Sequence, residues 1–125
     1  MNSKILIVDD SSLARRTVRA MLEEMGHVVE EASDGAQALE RFYLQQPDLV
    51  VLDMVMSGMY GLEVLTKIRQ LNPEARVIVI TADIQDSTKE QVRAAGASGF
   101  INKPINRQKL NHTISAVLEG GHSWS

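Results

Sequence analysis

The sequence predicts an α/β fold: one doubly wound domain in which five parallel strands are covered on both faces by five helices. Three observations carry this expectation. Short β-branched runs alternate five times with longer stretches of helical period, which is the pattern of βαβ units. Several of the runs, LVVL and VIVI among them, are apolar throughout, as strands buried on both faces are. The 125 residues, 44% hydrophobic and 23% charged, suit one soluble core and leave no room for a second.

The candidate strands are Lys4 to Val8, Val28 to Ala32, Leu49 to Leu52, Val77 to Ile80 and Phe100 to Asn102. Val18, Met21, Leu22 and Met25 fall on one face of a first helix, and Leu110, Ile114, Val117 and Leu118 do so in the last, so both faces should pack on the sheet. Asp34 with Gln37, and Ser87 with Glu90, have the spacing of capping boxes, in which each side chain satisfies the other's backbone amide. Gly26, Pro47 and Pro73 read as stops. The domain is expected over residues 1–119, with residues 120–125 (GGHSWS) as a flexible tail that leaves Trp124 exposed.

Several function classes are disfavoured. There is no cysteine, no long aliphatic run and no signal-peptide order at the start, so a cytoplasmic protein without disulfides or membrane insertion is expected. The net charge of −3 comes from interspersed acids and bases and offers no basic stripe for nucleic acid. A protein is the expected partner, and the chain itself is expected to be a monomer.

Polar residues gather where strands end. The first strand runs into Asp9 and Asp10, the third into Asp53, the fourth into Thr81 and the fifth into Lys103. Ligands of doubly wound sheets sit beyond the carboxyl ends of the strands, where the strand order reverses; in the order 2-1-3-4-5 that point lies between strands one and three. The three carboxylates would then converge. At about 4 Å and an effective dielectric near 20, each ionised pair costs roughly 4 kcal/mol without compensation, so a cation is required. Hard oxygen donors with no histidine or cysteine beside them select Mg²⁺, or Mn²⁺. A metal there can polarise a phosphoryl group while a carboxylate attacks it. Asp53, alone at the end of the central strand, is the natural nucleophile. Taken singly, Asp10 before Ser11 and Ser12 could be a helix cap, and Thr81 or Lys103 an ordinary surface residue; their joint placement favours a site. His27, His112 and His122 belong to no such constellation.

The stretches ILIVDDSSLARR, PDLVVLDMVMSGMYGLEVL, VIVITAD and GASGFINKP resemble the receiver domains of two-component response regulators, in the family's order and spacing from Lys4 to about Leu118. The resemblance implies the flavodoxin-like order 2-1-3-4-5, with Asp53 as phosphoacceptor and Asp9 and Asp10 as its acidic pocket. It also implies the backbone carbonyl of Val55 as a further Mg²⁺ ligand, Thr81 and Lys103 on the phosphoryl oxygens, and a cis peptide before Pro104. Members of the family take the phosphoryl group from a phosphohistidine on a sensor kinase and catalyse both the transfer and its later hydrolysis. Thr81 then moves toward the phosphoryl oxygens, Phe100 turns inward, and the surface of helix four, strand five and helix five changes.

Three positions depart from the family pattern. Ser57 replaces a common proline, Phe100 replaces a common tyrosine, and Val55 lacks a polar side chain to orient an attacking water. The last departure predicts a long-lived acyl phosphate. A dehalogenase-type phosphatase would need a second acid where Val55 stands, and a flavodoxin-like carrier would find its phosphate repelled by Asp9 and Asp10. With no output domain readable in the sequence, docking to other proteins is the expected mode of action. Chemotaxis-type control is favoured over a phosphorelay shuttle or the receiver part of a longer regulator.

Overall fold

The computed structural model describes residues 3–54, 60–82 and 85–123. Strands and helices alternate strictly: β1 (Lys4–Val8), α1 (Ser12–Glu24), β2 (Val28–Ala32), α2 (Gly35–Gln45), β3 (Leu49–Asp53), α3 (Gly61–Leu71), β4 (Val77–Thr81), α4 (Asp86–Ala94), β5 (Gly99–Asn102) and α5 (Arg107–Leu118). All pairings are parallel, in the order β2-β1-β3-β4-β5. The fold is the expected flavodoxin-like one, and the strands differ from the sequence reading only by one residue at an end: β3 takes in Asp53, β4 Thr81 and β5 Gly99.

Because side chains alternate across a strand, the apolar strands feed two cores. Leu6, Val8, Val50, Leu52, Val77 and Val79 face one way, with Ala38, Phe42, Val64, Leu65, Ile68 and Val92 from α2, α3 and α4. Ile5, Ile7, Leu49, Val51, Ile78 and Ile80 face the other, with Val18 and Leu22 of α1 and Leu110, Ile114 and Val117 of α5. Met21, Met25 and Leu118 pack at the margin of the second core, so both expected helix faces are used. Full burial of one such side chain stabilises by about 1.5–3 kcal/mol. Among the described residues, no helix is long and apolar enough to cross a membrane.

Local chemistry sets the helix ends. Asp34 caps α2 by accepting from Gln37 N at 2.8 Å. The Gln37 side chain turns back to the amide and hydroxyl of Ser33, each at 3.0 Å, one residue short of the reciprocal bond expected. The Ser87–Glu90 box does not form. Here α4 opens at Asp86 with Gln85 at the N-cap position, its side chain making no cap bond, which places Ser87 inside the first turn. An acid there, Asp86, suits the positive end of the helix dipole.

The segment after α5 departs from the expected loose tail as far as Ser123. Gly120 takes a left-handed φ of 90°, which glycine adopts without strain, and the chain folds back. Gly121 N donates to Ala116 O at 3.0 Å, Ser123 N to Ser98 O at 3.0 Å, and Phe100 N to Ser123 O at 3.0 Å. Ser123 thereby forms a parallel bridge with Gly99 and is buried. Trp124 and Ser125 lie outside the described residues.

Candidate acidic site at the carboxyl end of the sheet

Strand β1 delivers Asp9 and Asp10 just past its last residue, and β3 ends on Asp53. Asp9 N still donates to Ala32 O of β2 at 3.2 Å, so Asp9 extends the sheet before the chain turns into α1. The cap of α1 is Ser11, whose hydroxyl accepts from Ala14 N at 3.2 Å; Asp10 is therefore not the cap. Asp9 Oδ1 accepts from Ser11 N at 2.9 Å, which orients that carboxylate. One oxygen from each of Asp9, Asp10 and Asp53 lies within 4.8 Å of the others. Asp9 and Asp53 are only 7% and 9% exposed, while Asp10 faces solvent.

Lys103 faces this group. Its Nζ lies 3.6 Å from Asp53 Oδ1 and 3.9 Å from Asp9 Oδ2. Lys103 N donates to Thr81 O at 2.8 Å, and the peptide between Lys103 and Pro104 is cis, as the resemblance implied. Thr81 closes β4 and is 1% exposed. In the β3–β4 register Asp53 lies beside Ile80, so Thr81 stands one residue further toward the carboxylates. Phe100, paired with Val79, is 2% exposed, with Lys89 Nζ 5.9 Å from its ring centre. Val55 and Ser57 lie outside the described residues.

Two supports of the site were not read from the sequence. Gly61 opens α3 directly against the end of β3: its amide donates to Met54 O at 2.8 Å. A β-carbon there would stand 2.7 Å from Asp53 O and from Met54 Cα. Arg15 of α1 donates to the backbone carbonyl of Asp9 at 2.6 Å. The glycine could have been suspected from its place a few residues past the strand. The arginine is visible only once β2 is known to lie beside β1.

A cluster of three carboxylates with one ammonium beside it keeps an excess of negative charge at hard oxygen donors, the donor chemistry that Mg²⁺ accepts. Residues 5–115 match the response regulator receiver domain. The chain belongs to the response regulator receiver family.

This receiver is 38% identical over 119 residues to the chemotaxis protein CheY of Bacillus subtilis, covering 94% of this chain and 99% of that protein. It is 35% identical over 118 residues to the chemotaxis protein CheY of Halobacterium salinarum, covering 94% and 98%. The crystal structure of a CheX-CheY-BeF3-Mg²⁺ complex from Borrelia burgdorferi superposes with a TM-score of 0.89 at 30% identity, covering 92% of this chain and 88% of that one. Receiver domains are the CheY-like signalling switches of two-component systems. They bind Mg²⁺ through an acidic pocket, and the corresponding acids of this receiver are Asp9, Asp10 and Asp53.

Proposed function

We propose that this receiver takes a phosphoryl group from a sensor histidine kinase onto Asp53 and passes the signal on by docking to a downstream protein. The convergence of Asp9, Asp10 and Asp53 within 4.8 Å, with Lys103 Nζ at 3.6 Å from Asp53, carries this reading. A carboxylate oxygen of Asp53 attacks phosphorus, the bond from phosphorus to the donor's imidazole nitrogen breaks, and the leaving imidazole keeps the electron pair and takes up a proton. Asp9, Asp10 and Asp53, with the carbonyl of Val55 that the family resemblance implies, would hold Mg²⁺, which would neutralise charge on the transferring oxygens. Lys103 contributes a fixed positive charge at the same oxygens, and Asp9, oriented by Ser11 N, holds its place in the pocket. The Thr81 hydroxyl bonds a phosphoryl oxygen once the group is on Asp53.

Switching follows from that last contact. Thr81 and Phe100 belong to adjacent strands, and a shift of the hydroxyl toward phosphate biases the aromatic ring toward its inward position. Phe100 is already inward here, so the switch lies in how strongly that position is populated; phosphorylation can bias only states that differ by a few kcal/mol. The face built from α4, β5 and α5 then changes its affinity for a protein target. The receiver works as a monomer in the cytoplasm on this reading, with chemotaxis-type output suggested by the names of the relatives.

Incubation with acetyl phosphate and Mg²⁺, followed by intact mass spectrometry, should find one added phosphoryl group that Asp53→Asn does not acquire. No addition to the wild type, or undiminished addition to the variant, overturns the proposal.

A further inference from the structure

Arg15 joins three elements at the acidic site. From α1 its Nη1 donates to the backbone carbonyl of Asp9 at 2.6 Å, and its Nε donates to Oε1 of Glu31 on β2 at 2.9 Å. The second oxygen of Glu31 accepts from Arg19 at 2.5 Å. The backbone carbonyl of Glu31 accepts from Arg41 of α2. The Arg15 side chain is only 16% exposed, so the fork is packed rather than loose in solvent.

The carbonyl that Arg15 grips belongs to the peptide unit joining Asp9 to Asp10. A peptide unit is planar, so its rotation swings the Cα of Asp10 and with it the carboxylate. On one side Asp9 is tied to β2 through its amide and Ala32 O. On the other, the Arg15 bond fixes the carbonyl of the same residue. A guanidinium suits this task because its donors are set in a rigid plane, so binding Glu31 with Nε aims Nη1 at a defined point; an ammonium has no such fork.

We infer that Arg15, clamped by Glu31, is a positioning residue for the divalent-cation site, holding the Asp9–Asp10 peptide plane so that both carboxylates face Asp53. The inference rests on the reading of that cluster as a Mg²⁺ site. Geometry and charge make opposite claims here. As a bare positive charge Arg15 would repel Mg²⁺ and Glu31 would attract it. As a clamp, both favour binding.

The test is a Mg²⁺ titration by ¹H–¹⁵N NMR of wild type, Arg15→Gln, Arg15→Lys, Glu31→Gln and the Arg15→Gln/Glu31→Gln pair, with spectral dispersion confirming each fold. Positioning predicts that all three single variants weaken Mg²⁺ binding, on the order of tenfold as for other outer contacts to metal ligands. The double variant should be no weaker than Arg15→Gln alone, since the two residues act as one unit. Without metal, the Ser11 amide proton, bonded to Asp9 Oδ1, should exchange faster in Arg15→Lys than in wild type. Tighter binding in Arg15→Gln with weaker binding in Glu31→Gln, or an Arg15→Lys variant indistinguishable from wild type, overturns the clamp while leaving the cation site standing. A wild type that binds no Mg²⁺ brings down the cation reading and this inference together.

Discussion

Lys103 approaches Asp53 as an ion pair, with Nζ 3.6 Å from Oδ1, at a point where two strands and a turn meet. Its backbone is tied to Thr81 O at 2.8 Å, so the ammonium is delivered from the end of β5, anchored to β4, rather than from a free loop. Replacing it with Lys103→Met removes the positive charge that competes with a cation for the carboxylates. Mg²⁺ should bind up to about fivefold more tightly, given ~1 kcal/mol for a partly exposed pair. Phosphoryl uptake from acetyl phosphate should slow on the order of 100-fold, as when one fixed donor to a developing oxyanion is lost. NMR titration and timed mass spectra read the two effects; a variant that loses cation affinity contradicts the assignment.

Gly61→Ala places a methyl group 2.7 Å from Asp53 O and 2.8 Å from Met54 O. Both contacts are backbone atoms at the end of a buried strand, which cannot rotate away. Destabilisation of about 1–3 kcal/mol is expected from such overpacking, measured as a lower urea midpoint, together with slower phosphorylation because Asp53 is displaced. An unchanged midpoint would show that the strand end yields freely.

Thr81→Val keeps the shape of a 1% exposed side chain and removes only the hydroxyl. Beryllofluoride with Mg²⁺ should shift the Phe100 amide resonance in wild type and leave it nearly unmoved in the variant, although both should still bind the anion at Asp53. An equal shift in both proteins would separate Phe100 from Thr81.

Two groups outside the site set an expected pH dependence. The hydrogen bond from Arg19 holds the Glu31 carboxyl below its ordinary 4.5. Its stabilisation is thus present above 4.5 and lost as pH falls through the folded value. Burial holds His27 below 6.5, and its ring nitrogen accepts from Ser3 N at 3.3 Å. The folded state therefore favours the neutral ring, and stability declines as pH drops below 6.5 toward the lower folded value. Urea midpoints taken from pH 7.5 to 3.5 should flatten below 6.5 in His27→Gln and below 4.5 in Arg19→Gln, each by at most about 1 kcal/mol.

An apolar side chain at Val55 can hold no attacking water. Val55→Asn should shorten the life of the acyl phosphate several-fold, followed by loss of the added mass after the donor is removed; equal decay would contradict the expectation drawn from that residue.

The strands are legible in the sequence because each carries β-branched residues in a short run, and the acids that follow β1 and end β3 are those that cluster. Helix starts are less so. Sequence spacing suits Ser87 and Glu90 to a cap, yet it cannot say whether the chain enters α4 at Asp86 or two residues later. Arg15 and Glu31 are 16 residues apart and become neighbours only through the pairing of β1 with β2. The return of Ser123 to Gly99 depends on a turn at Gly120 whose direction leaves no periodic trace.

That return has a consequence for crowded solutions. A bare outer strand is a template on which a second chain can grow. At one border of this sheet the amide of Phe100 and the carbonyl of Ser98 are occupied by Ser123, and at the other the carbonyl of Glu31 is taken by Arg41. Copies colliding border to border therefore find these rungs filled, which opposes fibre-like stacking.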